Sequence, residues 1–460
     1  MKVIRIVLAV MVLATLLGGL TLWSAAPSHT LVAQAQNAEW ATDYSKKLGI
    51  SLLAEFDSSG PAAWDPVAHP VVFFTTEGPG YGGQLSKTHK NPGVAVIDAN
   101  TREPIASASF QLEGVEPGKA FEPHGLGVSM DGRWIYLPSG TGAGFGDVGA
   151  GRLLVIDAMT LKLHQILAAP TNPHHAKAFT NSEGKNLVLA YGFSQGNFYV
   201  FDPDDNNRVV GGILNNDLFG RGYLGYVDNS GKYLFITVRP PSGVTGQGFV
   251  SIVDTTTWKL VRNIGIEDSS PIWVSFSADS KYAYVSGGHE SIAIRIDIAD
   301  PDPAKWAVTG FSRAGTEGPY GLHLNWEETQ LWMIGKGEGS HNLGITVGLV
   351  DPKRFVEGST ARPLAEYYTG CLRADHGTLN PNADVSELWI TCNSSFEVVV
   401  FDMDAKAVTA RIAMPNGGST HSGSFVQYTP SESGFVGEVL SDQNGLHGSA
   451  LAIKKEILGL

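Results

Sequence analysis

Asp131-Gly-Arg-Trp-Ile-Tyr-Leu137, followed beyond a Gly-rich stretch by Leu154-Val-Ile-Asp157, carries the pattern from which the chain is built. A polar turn leads into a short apolar strand, and a second strand ends in aspartate. The aspartate-ending strand recurs at Val94–Asp98, Tyr199–Asp202, Ser251–Asp254, Ile294–Asp297, Gly348–Asp351 and Val399–Asp402. Turn-then-strand segments recur before them, at Asn186–Leu189, Tyr233–Ile236, Tyr282–Val285 and Leu388–Ile390. These runs are too short for helices and are bounded by turn residues, so they read as strands. A period of roughly fifty residues means stacked supersecondary units, and four-stranded propeller blades fit it. The repeated aspartates read as caps of tight turns.

Eight such units can be counted. The first holds Val71–Phe74 and Val94–Asp98, and the last holds Gly434–Leu440 and Ser449–Ile453. The last unit lacks an outer strand, which the pattern at Ile50–Phe56 can supply, closing the ring without an open sheet edge. The expected fold is therefore all-β: an eight-bladed β-propeller, alternatively seven-bladed, closed by an N-terminal strand.

The N-terminus reads as a secretory leader. Lys2 and Arg5 precede the apolar run Ile6–Leu22, and Ala33-Gln34-Ala35 offers a small-x-small cleavage site. Residues 1–35 are the expected signal peptide and 36–460 a single propeller domain; an uncleaved anchor is the alternative. No later stretch approaches the ~18 apolar residues of a spanning helix, so a periplasmic or secreted protein, off the membrane after cleavage, is expected. The formal net charge of −13 and the lack of a basic cluster argue against nucleic acid. Cys371 and Cys392 are the only cysteines. In an oxidising compartment a disulfide is expected of them; a metal thiolate or two buried thiols are the alternatives.

The histidines are distributed unevenly. In a propeller, the loop leading into each inner strand and the loop joining the second and third strands share one face. His124, His174, His175, His376 and His421 fall in leading loops, and His89, His289, His341 and His447 in middle loops, which puts nine of thirteen on that face. The leading loops lie nearest the axis, so His124, His175, His376 and His421 are expected to converge on a funnel. Imidazoles without free thiolate suit copper, zinc, iron or nickel. Asp375 is a candidate to orient His376, and Asp268, with Glu267, can complete a ligand set. His323 reads as ligand or core, and His447 is allowed inward by Gly445 and Gly448.

The Pro123–Tyr136 segment, running into Val155-Ile-Asp157, resembles the YVTN family of bacterial propellers, a likeness that speaks for fold and not for activity. The order of histidine-bearing units is similar to that of the copper propellers of nitrous oxide reductase and thiocyanate dehydrogenase. That resemblance implies His124, His175, His323, His376, His421 and His447 as copper ligands, Asp268 as a carboxylate beside them, and Lys87 or Lys90 on the substrate side. His174 and Asp375 complete the candidate catalytic residues. The His174-His175 pair sits one unit later than the resemblance implies, and no cupredoxin domain follows, so electrons are expected to pass to an acceptor protein. A second resemblance, to the haem-binding propellers of cytochrome-type nitrite reductases and their maturation proteins, implies Arg221 and Arg373 as partners of haem carboxylates. No Cys-x-x-Cys-His is present for covalent attachment.

No phosphate loop or His-Glu-x-x-His helix occurs. The expected function is a copper-dependent oxidoreductase acting on a small inorganic or polar substrate. A haem-binding propeller and a non-catalytic protein- or glycan-binding propeller are the alternatives.

Overall fold

The computed structural model describes residues 39–66, 69–76, 93–110, 123–139, 151–170, 172–192, 195–218, 220–239, 248–266, 269–339, 344–415, 417–432 and 434–460. The expected leader lies outside them, as do Lys87, His89, Lys90, Glu267, Asp268 and His341.

Seven sheets form the propeller, not eight. Their inner strands are, from blade 1 to blade 7, Gly423–Ser431, Gly127–Val128, Pro173–Thr180, Gly222–Val227, Pro271–Phe276, Pro319–Leu324 and Ala374–Leu379. The first and last units of the sequence are one blade. The late strand Gly423–Ser431 pairs with Val71–Thr76, aligning Val426 with Val71, and so closes the ring. Trp389 of blade 7 packs against Phe74 and Phe425 of blade 1 across this seam, with ring centroids 6.4 and 5.3 Å away.

The strand at Ser51–Glu55 does not close the ring. It adds to the outer edge of blade 2, pairing antiparallel with Leu163–Ala168. The segment read as the last blade is also different. Gly434–Asp442 lies along the free, axis-facing edge of the inner strand of blade 1. A tight turn through Gln443-Asn444 follows, and Gly448–Ile457 is a helix rather than a strand. Among the described residues no helix is long and apolar enough to cross a membrane.

Blades stack face to face, so inner and second strands lose both faces to the core. All six residues of Pro271–Phe276 and of Glu387–Cys392 are buried, whereas the outer strand Ala407–Ala413 keeps mostly exposed and half-buried residues. The recurring aspartates cap turns as expected: Asp157 Oδ1 accepts from the amides of Met159 and Thr160 at 3.0 and 2.8 Å, and Asp402 repeats the pattern. Cys371 and Cys392 form a disulfide with Cα atoms 5.2 Å apart, tying the approach of the inner strand of blade 7 to the end of its second strand.

Candidate metal centre and its surroundings

The leading loops and inner strands of blades 1, 2, 3 and 7 bring five histidines together. His124, His174, His175, His376 and His421 are all buried. Ring centroids of His124 lie 3.4 Å from His421, 3.9 Å from His174 and 4.9 Å from His175; His175 and His376 are 4.7 Å apart. Two donor groups share His124: one of His124, His174 and His175, the other of His124, Asp375 and His421, each with its donor atoms within 4.8 Å of one another.

Local backbone makes this convergence possible. In a regular strand, neighbouring side chains point to opposite faces. The inner strands of blades 4, 5, 6 and 7 each slip register near their start, in blade 7 between Ala374 and Gly377. Such a bulge re-aims side chains, so Asp375 and His376 both reach groups beyond their own blade. Gly125 serves the same end by absence: a Cβ there would lie 2.0 Å from His175 Nδ1.

Asp375 was expected to orient His376. It orients His421 instead, with Oδ2 2.6 Å from His421 Nδ1, while Oδ1 lies 2.8 Å from Lys336 Nζ and 3.8 Å from His376 Nε2. His421 sets Nδ1 against this carboxylate and turns Nε2 to the side-chain amide of Asn393. His175 donates from Nδ1 to Gln443 Oε1 at 2.9 Å. Its Nε2, and both nitrogens of His376, are buried without a hydrogen-bond partner among the described residues. Buried polar atoms are nearly always satisfied, so these nitrogens mark a place for an electron-pair acceptor.

Electrostatics favour the ligand forms. Burial pushes the imidazoles of His124, His175 and His376 well below their ordinary value, leaving them neutral. Burial raises Asp375, but Lys336, His421 and His376 outweigh it and hold the carboxyl well below the usual range.

His323 and His447 lie outside both donor groups. The His323 ring packs 5.7 Å from Trp273 and lines a small cavity with Asn444, Leu446 and Lys454. His447 is not in a middle loop; it precedes the C-terminal helix and pairs with Asp442 at 2.7 Å. His289 and Arg221 are exposed and Arg373 is half-buried at a positive φ of 57°. Sequence reasoning missed Arg239, Lys336, Asn393 and Gln443. The first three share a signal, since each is the first residue after the second strand of its blade: Val238-Arg239, Gly335-Lys336 and Cys392-Asn393. Nothing in the sequence marks Gln443.

The half of the funnel without histidines is aromatic and cationic. Tyr320 stacks on His376 at 5.3 Å and carries Lys336 Nζ 3.8 Å over its ring. Tyr223 hydrogen-bonds Tyr320 at 3.1 Å and carries the Arg239 guanidinium 3.7 Å over its ring. Lys177 Nζ sits 3.2 Å over Tyr226 and donates to the Gly225 carbonyl at 3.0 Å.

No protein-family model matches the chain, and no curated protein matches it in sequence. Solved structures do match in shape. The periplasmic gluconolactonase PpgL of Pseudomonas aeruginosa superposes with TM-score 0.55 at 16% identity, over 77% of this chain and 99% of that one. A putative 6-phosphogluconolactonase of Bacteroides uniformis gives 0.53 at 16% identity, over 77% and 99%. At such identities the likeness is one of fold, and this chain shares with them the β-propeller.

Proposed function

We propose that this protein is an exported metalloprotein whose propeller funnel holds copper, and that it is an oxidoreductase acting on a small inorganic or polar substrate. The observation that carries this reading is the set of unpartnered, buried nitrogens of His175 and His376 beside two donor groups that share His124. His124, His174, His175, His376 and His421 are the residues that would hold the metal, with Asp375 orienting His421. A nitrogen-rich set suits copper, which also heads the affinity order of divalent first-row metals. Both cysteines are spent in a disulfide, so thiolate ligation is not part of the site. When bound, copper supplies a one-electron couple and a Lewis acid. The chain keeps the imidazoles neutral, fixes His421 through Asp375 and His175 through Gln443, and excludes water. Asp268 is a proposed further ligand, Lys87 and Lys90 are proposed substrate-side lysines, and a soluble acceptor protein is the proposed destination of electrons. The disulfide and the leader pattern support a periplasmic or secreted location.

Haem has less support. The ring of His124 stands against those of His174 and His421, and Arg221 is exposed whereas these histidines are buried. The test is metal analysis with a visible spectrum of protein purified without chelators. One or more equivalents of copper, lost in His376→Ala/His421→Ala, are expected. Unchanged copper content in that double variant would overturn the site. A Soret band would favour haem, and neither signal would leave a non-catalytic binding propeller.

A further inference from the structure

The C-terminal helix Gly448–Ile457 lies on the propeller face opposite the histidine cluster. It lines a small cavity with Asn229, Ala278 and Glu328, which sit in the turns joining inner to second strands in blades 4, 5 and 6. A helix laid on a protein surface ordinarily turns its apolar stripe inward and its charges to water. This one does the reverse. Lys454 is only 5% exposed, with Nζ 3.2 Å from Glu328 Oε1, an oxygen that also accepts the amide of Ala278 at 2.8 Å. Ile453, Ile457 and Leu460 face outward, 45, 47 and 57% exposed among the described residues. Their spacing of four and then three residues puts them on one stripe, and the Leu460 amide, donating to the Lys455 carbonyl at 2.9 Å, keeps the last turn closed.

The stripe does not stand alone. Gly434–Asp442 runs beside the helix, and its Glu438 accepts the amide of Ser449 at 2.6 Å. Phe435 and Val436, at the start of that strand, are exposed as well. Single apolar side chains in water are ordinary, but a group of them on one element marks a surface that another molecule covers. A lysine is almost never buried without a partner, so turning Lys454 inward to Glu328 is what leaves the isoleucines outside. The surrounding charge selects the occupant. Third strands end in aspartate on this face, at Asp254, Asp297 and Asp402 among others, and Glu327, Asp384 and Glu456 add exposed carboxylates. The whole chain carries 45 acidic residues against 32 basic ones. A second copy would set this acidic face against itself, and an anionic bilayer would repel it.

We infer that this face docks a basic amphipathic helix of a partner protein. Ile453, Ile457 and Leu460 form the apolar centre, and the carboxylates form a rim that meets the partner's lysines and arginines. An apolar core within a polar rim is the usual anatomy of an interface, and an amphipathic helix laid on an apolar surface is a recurring mode of recognition. Opposite charge steers such a partner to this face and rejects acidic ones. The surface lies away from the funnel and uses none of its histidines, so it stands or falls independently of the copper reading.

The experiment is a fluorescence-anisotropy titration of the purified protein into a labelled helical peptide built of leucine and lysine in amphipathic order. One comparator peptide carries serine for leucine, and another carries glutamate for lysine. Saturable binding of the first peptide is expected, weakening as salt is added, and neither comparator should bind. Ile453→Ser/Ile457→Ser should weaken binding at least about tenfold, because the apolar centre is lost. Both side chains are exposed, so the melting temperature should hold. Leu53→Ser/Val261→Ser, which alters exposed apolar groups on the outer strands of other blades, should leave binding unchanged. Equal binding by the unaltered protein and Ile453→Ser/Ile457→Ser, or binding of the glutamate peptide, overturns the inference. Sedimentation and vesicle flotation test the other occupants. A dimer of the protein, or its capture by phosphatidylglycerol vesicles, that disappears in Ile453→Ser/Ile457→Ser overturns the inference in favour of a second copy or a lipid surface.

Discussion

Asp375 Oδ2 stands 2.6 Å from His421 Nδ1 while its other oxygen stands 2.8 Å from Lys336 Nζ, so one buried carboxylate joins the histidine half of the funnel to its cationic half. Asp375→Asn keeps the shape and removes the charge. Copper affinity is expected to fall about 10- to 100-fold, the usual cost of losing a partner that orients a ligand. A chelator-competition titration measures it. The variant also strands a buried ammonium, a loss that can reach about 3 to 5 kcal/mol. Asp375→Asn/Lys336→Met should recover stability in urea melts without recovering copper affinity, which separates the two roles.

Gln443 comes from the turn that follows the strand Gly434–Asp442 and reaches His175. Accepting from Nδ1 fixes the tautomer and leaves Nε2 as the ligand atom. Gln443→Ala should lower copper affinity by about tenfold or more with little change in melting temperature. Gly125→Ala should do more, because its Cβ would collide with His175 Nδ1. Unaltered copper titrations in both variants would remove His175 from the ligand set.

The disulfide closes a segment with 21 residues of sequence separation that contains Asp375 and His376, and Asn393 follows it directly. Cys371→Ala/Cys392→Ala should cost about 3 kcal/mol, read as a lower urea midpoint. Copper affinity should fall as well, because Asn393 and Asp375 both hold His421.

Acid should destabilise the metal-free protein through its buried imidazoles. Burial lowers His323 from 6.5 to about 4, with a backbone contact from Gly377 opposing it. Between those values the unfolded chain binds a proton that the native state excludes, so this contribution is whole above pH ~6.5 and is lost as pH falls toward 4. His323 alone accounts for about 3 kcal/mol across that window, and His124, His175 and His376 shift in the same direction. Thermal melts of chelator-treated protein should drop steeply below pH ~6.5. His323→Gln should make that dependence shallower; an unchanged slope would mean that His323 titrates normally.

The propeller was legible in the repeat, because aspartate-capped turns and short apolar strands are local chemistry copied along the chain. So was the convergence of His124, His175, His376 and His421, since equivalent positions in a repeat become neighbours around an axis. The blade count was not legible. The units at Val71–Asp98 and Gly434–Ile453 look separate until the pairing of Val71 with Val426 puts their strands in one sheet. Ring closure is a contact across the whole chain, and no local pattern encodes it. The partners of the histidines belong to the same category. Asp375 sits next to His376 in sequence, yet a bulge turns it to His421, and Gln443 reaches His175 from 268 residues away. Sequence by itself determined which residue types meet at the axis, because the repeat dictates their loops. Only the tertiary structure decided which nitrogen each partner takes and which donors are left without one, because these depend on strand register and on how seven blades close on one another.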